Sequence, residues 1–469
     1  MKIGTQSQMK KIDACFLEKM SIIELVDKAS EALLEEVKEY DSFFICAGCG
    51  NNGADAYALA AKLHELQKKV LIYGVKGKRS EACAYYYKKC QDALLIEEDL
   101  DVFKRKASSL SVGVDGLFGF GLHSNPTGIY ADLIQFLNAC DQKILAIDLP
   151  SGLNCDSGIP YENCVKADIT LTFFAMKLGF LNPASYAYTQ EIRVLSLDGC
   201  IPEEESLCES VNSISFEKKS YDGHKGKYGK AVLFCGSDMY QGAALLSTKA
   251  CVYSGCGITA LSSTPRVEDL ASLYVPEAIH FSRHELWKTA NYDALLIGCG
   301  LAEDEQLLSY ILKETSLPLV LDASALNMLA KNLSLLENQQ RPILLTPHAG
   351  EFQRLCPDAK DLNEAAVEFA RKYHVILILK GPHTLITDGN RHYRNMSGNG
   401  AMATGGSGDV LSGILVSFLA QHMDPMKAAI SAVYLHGMIG DQLAQSQHTV
   451  LPSQLIERIP QAMKELENV

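Results

Sequence analysis

The sequence predicts two α/β domains in tandem, each built on a mainly parallel sheet covered by helices. Three observations carry this. The chain has 469 residues, more than one hydrophobic core usually organises. Short continuous apolar runs alternate along it with helical segments, as strands buried on both faces of a parallel sheet do. The series is interrupted once, by the polar, acidic stretch from Pro202 to Lys219, which includes Glu203-Glu204-Glu205 and has little periodicity. Read as a linker, that stretch divides the chain into domains of residues 1–210 and 211–469.

The first element is a helix. Ser21-Ile22-Ile23-Glu24 is a capping box, in which the Ser and Glu side chains satisfy orphan backbone donors of the first turn. Ile22, Leu25, Val26, Ala29, Leu33 and Val37 then recur at helical spacing and read as a packing stripe. Strand runs follow at Phe43–Cys46, Val70–Tyr73, Val112–Asp115, Ile144–Ile147 and Ile169–Thr172, with Ile192–Leu197 as the last of the first unit. The second series runs through Ala231–Phe234, Ala294–Ile297, Leu319–Leu321, Ile343–Leu345 and Val375–Leu379. No internal repeat relates the two series.

Composition excludes several classes. Apolar residues make up 47 % and charged residues 21 %, which is ordinary globular usage. A formal net charge of -13 argues against a nucleic-acid partner, which needs a positive footprint. Lys76, Lys78 and Arg79 form only a short, interrupted basic cluster and read as solvated loop charges. The N-terminus lacks the apolar run of a secretory signal, and no stretch approaches the ~20 apolar residues of a membrane span. No membrane partner and a cytoplasmic location are therefore expected. The 15 cysteines lie singly in apolar segments, which fits a reducing compartment. Cys46 and Cys49 form one Cys-x-x-Cys, but it overlaps a glycine loop and reads as part of that loop.

That loop is Gly48-Cys49-Gly50-Asn51-Asn52-Gly53, formally G-x-G-x-x-G between a strand and a helix. Such glycines let a backbone approach a pyrophosphate at a helix N-terminus. A standard NAD-dependent dehydrogenase also needs an acid at the end of the next strand. Here that strand ends in Tyr73-Gly74-Val75-Lys76, so a dehydrogenase is disfavoured. Asn51, Asn52 and Asp55 instead offer polar groups to a ligand or cation. Two further strands end alike, in Asp115 before Gly116–Leu122 and in Asp148 before Leu149-Pro150-Ser151-Gly152. Residues just past the carboxyl ends of parallel strands line the ligand crevice, so three such loops converge there. Each Asp alone is equally a turn former or helix cap.

These N-terminal segments resemble the NAD(P)H-hydrate epimerase family. The resemblance rests on Gly50-Asn51-Asn52-Gly53-Ala54-Asp55, on Val114-Asp115 with Gly119-Phe120-Gly121-Leu122, and on Asp148-Leu149-Pro150-Ser151-Gly152. It implies a Rossmann-like three-layer domain that interconverts the R and S epimers of hydrated NADH and NADPH. It further implies K+ held by Asn52, Asp115 and Ser151. Contacts to the hydrate are implied for Asn51, Asn52, Gly53, Ala54 and Asp55, for Gly119, Phe120, Gly121, Leu122, His123, Ser124 and Asn125, and for Asp148. Asp148 is the expected proton carrier, because burial can tune a crevice carboxylate toward neutrality. Ala54 stands where the family usually has Gly, and no basic residue occurs from His123 to Asn125.

The C-terminal half carries Gly398-Asn399-Gly400-Ala401-Met402-Ala403-Thr404-Gly405-Gly406-Ser407-Gly408-Asp409, followed by a helical run. Consecutive glycines and a helix N-terminus make an anion hole suited to a phosphate in transfer. Asp409 is placed to take a proton from an attacking hydroxyl. No Walker A sequence occurs. Lys380-Gly381-Pro382-His383-Thr384, Thr346–Glu351, His224-Lys225-Gly226, Gly236-Ser237, Gly242-Ala243-Ala244 and Asp322–Asn327 all lie at strand ends. This set resembles the NAD(P)H-hydrate dehydratase branch of the ribokinase-like fold, from about His224 to His436. The resemblance implies that ADP, with Mg2+, serves as co-substrate in dehydrating the S epimer, releasing AMP and phosphate. Lys380, Gly381, Pro382, His383, Thr384 and Gly408 are the implied adenine-nucleotide contacts. Ala243, Gly300, His348 and Asp409 are the implied hydrate contacts, with Asp409 as base. Cys299 replaces a usual Pro, and Ser407 a usual Thr or Met. His436, on a late apolar helix, reads as a satisfied core residue.

The expected protein is thus a bifunctional repair enzyme, assembled as a homo-oligomer. The alternative is a ribokinase-like vitamin or sugar kinase carrying a non-catalytic N-terminal binding module.

Overall fold

A computed structural model describes residues 1–197 and 207–467. The chain forms two compact units, Met1–Leu207 and Cys208–Val469.

In the first unit, β1 (Lys2–Gly4) leads into the helix Gln6–Leu17, and the helix Ile22–Val37 starts at Ser21 with the expected capping box. The strands β2 (Ser42–Ala47), β3 (Lys69–Gly74), β4 (Val112–Gly116), β5 (Lys143–Ile147) and β6 (Ile169–Phe173) follow. They are joined by β7 (Met176–Lys177) and β8 (Glu191–Leu195). A parallel sheet runs β3-β2-β4-β5-β6-β8, while β7 pairs in parallel with β1. Every residue of β2, β4 and β6 is buried, which is why these segments are continuous apolar runs. The chain steps from β2 out to β3 and then back past β2 to β4. The strand order therefore reverses between β2 and β4, where a doubly wound sheet opens a crevice.

In the second unit the strands are β9 (Cys208–Val211), β10 (Lys230–Phe234), β11 (Ile258–Ser262), β12 (Ile279–His280) and β13 (Ala294–Ile297). They continue with β14 (Leu319–Leu321), β15 (Ile343–Leu345), β16 (Ile376–Leu379), β17 (Leu385–Thr387) and β18 (His392–Asn395). Their order is β12-β11-β10-β13-β14-β15-β16-β17-β18-β9. The first seven run parallel, and β16-β17-β18 form an antiparallel meander. The helices Gln241–Tyr253, Ser407–Ala420, Pro425–Ala444 and Pro452–Glu465 bury Val410, Ile414, Ala432, Leu435 and Ile459 in one core layer. The opposite face packs Leu308, Ile311, Leu326, Phe352 and Phe369.

Two departures from the sequence reading have simple causes. Part of the expected linker is strand: Cys208–Val211 pairs in parallel with β18, so its polar residues sit on a sheet margin. Pro202 to Glu205 lie outside the described residues. The strands β11 and β12 leave little mark in the sequence, because Thr259 and Ser262 break the apolar run of one and the other is only two residues long. No disulfide occurs among the described residues, where no helix is long and apolar enough to cross a membrane. Cys46 is buried in the sheet, and Cys49 donates its thiol to the Val75 carbonyl at 3.3 Å.

Candidate active sites

The first unit holds a cleft of about 700 Å3 at the carboxyl ends of its strands. Its wall includes Asn51, Asn52 and Asp55 from the start of the helix Asn51–Glu65, the loop Leu117–Leu122, and Asp148 after β5. Asp148 adopts φ +64, a left-handed conformation rare for a residue with a side chain. That backbone strain turns its carboxylate into the cleft side of the sheet. The carboxylate is held there by Lys177 Nζ at 2.7 Å and by the Thr172 hydroxyl at 3.2 Å. Lys177 itself is 1 % exposed, so the two charges compensate one another away from water.

Around this pair stand two more carboxyls. Burial, and then the charge of Asp148, push Asp13 up to about 6. Burial, followed by the charges of Asp148 and Asp13, holds Asp55 well above the usual carboxylate range. Asp148 thus faces two carboxyls that bind protons more tightly than an ordinary carboxylate does.

Beneath the wall, Asp115 is wholly buried at the end of β4. Ser151 donates to it twice, from its backbone at 2.8 Å and its hydroxyl at 2.7 Å, and the Leu117 amide donates at 3.2 Å. Burial pushes the Asp115 carboxyl up to about 6 against those hydrogen bonds. Among the described residues no Lys or Arg pairs with it. Asn52 borders both groups: its backbone carbonyl lies 3.5 Å from where a Cβ on Gly116, next to Asp115, would sit, and a Cβ on Gly119 would sit 3.3 Å from both Asn52 Oδ1 and Asp148 Oδ2.

Not every sequence-predicted residue reaches this wall. Gly53 and Ala54 are buried in the first turn of the helix, where Gly53 packs its Cα against the Gly48 carbonyl. His123, Ser124 and Asn125 lie off the wall, with Asn125 accepting from the Asn163 amide at 3.0 Å. Conversely, Ile22, Leu25, Val26 and Ala29 line the cleft, although their helical stripe reads as packing alone. A helix that closes a cleft shows the same periodicity as one that closes a core. Lys78 and Arg79, read as solvated charges, are wall residues too, since the loop after β3 folds back over the crevice. Sequence reasoning missed Asp13 and Lys177 because neither lies in a glycine loop or closes a strand run: Asp13 follows Lys10 and Lys11 in a helical segment, and Lys177 follows Met176 beyond the last residue of the Ile169–Thr172 run.

In the second unit, Asp409 occupies the first turn of the helix Ser407–Ala420, whose N-cap Gly406 adopts φ +98 and provides no side-chain cap. The first N–H groups of this helix therefore have no intrahelical acceptor. A Cβ built on Gly381, Gly400 or Gly405 meets no atom within 4 Å, so this face of the loop is open. The loop is pinned at its start by Asp441, which accepts from the Gly398 amide at 2.8 Å and the Asn399 side chain at 2.7 Å.

Behind it, Lys380 Nζ pairs with Asp322 at 2.9 Å and lies 4.0 Å from Glu351. Ser412 donates to the other Asp322 oxygen at 2.8 Å. Burial works against the Asp322 charge, but Lys380 and Ser412 outweigh it and hold the carboxyl below its usual range. Burial, and then the charge of Asp322, push Asp409 up to about 7, against the opposing pull of Cys299 and Lys380. A Cβ on Gly408 would meet Lys380 Nζ at 3.2 Å, which places the lysine under the anion hole.

His348 caps the helix Ala349–Leu355, its Nδ1 accepting from Gly350 and Glu351 at 3.0 and 3.2 Å, which leaves the proton on Nε2. Gly300, at φ +63, abuts Ala243: a Cβ there would fall 2.6 Å from that of Ala243. Thr384 turns back to donate to the Gly381 carbonyl at 3.1 Å, with Pro382 and His383 between them. His436 Nε2 lies 3.2 Å from the Ser407 hydroxyl, and burial pushes the ring down to about 4. It is a satisfied residue, as expected, but what it steadies is the start of the Asp409 helix.

A curated relative from Coxiella burnetii, named a bifunctional NAD(P)H-hydrate repair enzyme, is 32 % identical over 471 residues, covering 93 % of this chain and 94 % of the relative. The chain belongs to the bifunctional NAD(P)H-hydrate repair enzyme family. A second relative of that name, from Moorella thermoacetica, is 28 % identical over 519 residues, covering 100 % of this chain and 97 % of the relative. Residues 21–179 match the family described as YjeF-related protein N-terminus, and residues 231–461 match NAD(P)H-hydrate dehydratase. Among solved structures, a ribokinase-like superfamily protein from Enterococcus faecalis is 30 % identical, with a TM-score of 0.52. It covers 55 % of this chain and 96 % of its own. The second unit is thus a ribokinase-like α/β fold, and the family's two parts fall on the two units that carry the two carboxylate sites.

Proposed function

We propose that this chain repairs hydrated NADH and NADPH, the first unit interconverting the R and S epimers and the second dehydrating the S epimer at the expense of ADP. The functional domains are residues 1–210 and 211–469. The observation that carries the reading is the pairing of an anchored carboxylate with a proton-holding one in each site, on a chain whose family is defined by both activities.

In the first site, epimerisation requires the hydroxyl-bearing carbon next to the ring nitrogen to lose its configuration. Asp148, ion-paired with Lys177 on the cleft wall, accepts a proton, while Asp13, pushed up to about 6 by burial and by the charge of Asp148, is the acid that returns one. Asn51 and Gly119–Leu122 position the ring beside them. The donor set of Asn52, Asp115 and Ser151 suits K+, being all oxygen around a buried carboxylate without a cationic partner. Held there by Asn52, Asp115 and Ser151, K+ would supply the positive charge that the Asp115 carboxylate lacks among the described residues.

In the second site, Asp409 deprotonates the ring hydroxyl of the S epimer. The oxygen attacks the terminal phosphorus of ADP, the bridging P–O bond breaks, and AMP leaves. Loss of the resulting phosphate, together with a proton released from the adjacent ring carbon, restores the ring double bond and hence the reduced nicotinamide. Backbone amides of Gly405–Gly408 face the migrating group, and Lys380–Thr384 border the nucleotide. Ala243, Gly300 and His348 confine the hydrate. Mg2+ enters as the nucleotide complex, held chiefly by phosphate oxygens. The enzyme works in the cytoplasm as a homo-oligomer.

A time course with mixed epimers, Mg2+ and either ADP or ATP tests the whole reading. Both epimers disappear and nicotinamide absorbance returns. Consumption of S alone removes the epimerase, and a stable phosphorylated product with no return of absorbance makes the second unit a kinase.

A further inference from the structure

The loop after β3 shapes the end of the first cleft farthest from Asp148. In the sheet order β3-β2-β4-β5, three strand spacings separate the ends of β3 and β5, or roughly 14 Å at about 4.8 Å each. The proposed epimerase chemistry puts the reacting ring at the end of β5, where Asp148 and Lys177 pair on the cleft wall. A dinucleotide laid across the β2/β4 switch point from there brings its adenosine ribose to the end of β3.

Three features of that end bear on the ribose. Residues 73–80 contain no acid, which removes the group that would hold a free 2′-hydroxyl and repel a phosphate. Lys78 and Arg79 are on the wall, and among the described residues neither pairs with a carboxylate. Lys76, by contrast, faces Glu98 at 3.9 Å and is turned away from this duty. The loop is also rigidly held to the glycine turn. Val75 donates to the Ala47 carbonyl at 3.0 Å, and Ser80 donates to the Cys49 carbonyl at 3.0 Å.

Arg79 is oriented more tightly than a surface arginine. Its guanidinium lies 3.6 Å over the Tyr87 ring and donates from Nη2 to the Val75 carbonyl at 3.3 Å. Its Nε is buried and has no hydrogen-bond acceptor among the described residues. Shielded from solvent, that donor is not offered to a ligand, so a phosphate contact falls to the outer nitrogens of a planar cation already held in place by the ring beneath it.

We infer that Arg79, assisted by Lys78, reads the 2′-phosphate of the hydrate, so that the epimerase site favours hydrated NADPH over hydrated NADH. This rests on the proposed epimerase function and adds its substrate preference.

The test compares wild type with Arg79→Met and Lys78→Ala on purified R epimers of both hydrates, scoring the epimerase by coupling to the chain's own dehydratase. Wild type shows the lower KM for the NADPH form. Arg79→Met raises that KM about tenfold or more, leaves its kcat in place and lowers the preference for the NADPH hydrate over the NADH hydrate by the same factor. Lys78→Ala does the same to a lesser degree, and Arg79→Lys recovers part of the preference. Equal losses on both hydrates, or a wild type without preference, overturn the inference, because the cations then serve the bridging diphosphate or the fold. A second arm titrates 2′-phospho-ADP-ribose and ADP-ribose into the same proteins. Wild-type preference for the phosphorylated ligand that Arg79→Met abolishes, in a chain that never consumes R hydrate, upholds the contact and removes the epimerase reading instead.

Discussion

Replacing Asp409 by Asn tests the dehydratase chemistry most directly. The side chain keeps its shape but loses the ability to take a proton. In the wild-type site the carboxyl rises from its ordinary 3.8 to about 7 because it is buried and faces the charge of Asp322. At about 1.4 kcal/mol per pH unit, that rise corresponds to roughly 4 kcal/mol in favour of the neutral form. Half of the free enzyme therefore carries the base at pH 7 and about one-tenth at pH 6. Accordingly, kcat/KM for the S epimer climbs tenfold per pH unit below 7 and levels off above. Asp409→Asn lowers the plateau above pH 7 by about 10²–10⁴, the usual loss on removing a general base, and flattens the profile, so the deficit narrows at lower pH where the wild type loses its own base.

The assay is the return of nicotinamide absorbance from pure S hydrate with Mg-ADP, scanned from pH 5.5 to 8.5. Conversion of R to S, measured in the same preparation, stays at the wild-type rate and shows that the chain is folded. The sign of the stability effect is opposite to that of activity. The folded state binds this proton more tightly than the unfolded chain, so stability conferred below pH 4 is lost as pH rises through about 7. A flat wild-type profile between pH 6 and 8, or an Asn variant within tenfold of wild type, refutes Asp409 as the base.

Four further outcomes follow from the same contacts. Lys380→Met leaves Asp322 buried without its 2.9 Å partner, which costs about 3–5 kcal/mol; a calorimetric scan shows a lower transition, and dehydration fails. Lys177→Met does the equivalent to Asp148, 2.7 Å away, lowering stability by about 3–5 kcal/mol; R hydrate persists while S hydrate is still dehydrated. Exchange of K+ for choline slows epimerisation and lowers the thermal midpoint of the wild type, whereas Asp115→Asn loses the response to K+ in both measurements. Gly300→Ala places a methyl 2.6 Å from the Ala243 Cβ at φ +63, which costs about 1–3 kcal/mol; KM for the S epimer rises while KM for ADP does not.

Much of the architecture was legible because buried parallel strands leave a plain mark. Phe43–Cys46, Val112–Val114 and Ala294–Ile297 are buried on both faces, and the glycine loops that follow them cannot be mistaken for helix. Asp115, Asp148 and Asp409 were readable from their place at the ends of such elements. Asp13 and Lys177 were not, since nothing in Gln6–Leu17 or around Met176 separates a cleft-facing charge from a solvated one. Lys78 and Arg79 show the converse. A basic cluster in a loop looks solvated until the backbone bonds from Val75 and Ser80 to the glycine turn fold it onto the crevice. Long-range pairing decides these cases, and one-dimensional patterns do not encode it.

The two sites arrive at one electrostatic solution on different folds. In each, a lysine pairs with one buried aspartate, Lys177 with Asp148 at 2.7 Å and Lys380 with Asp322 at 2.9 Å. In each, burial and then the fixed charge raise a neighbouring carboxyl, Asp13 to about 6 and Asp409 to about 7. The lysine is what permits this, since a carboxylate taken out of water without a charge partner carries the full desolvation cost. The consequence differs with the chemistry each site is proposed to perform. Epimerisation needs an acid and a base together, and a site holding both Asp148 and Asp13 supplies them without external protons. Phosphoryl transfer needs only a base at the moment of attack, and Asp409, poised near neutrality beside an anion hole, is spent on that single proton. A dehydratase that accepts one epimer leaves the other stranded, so the proton-balanced site in the first unit is what lets the second work through the whole pool.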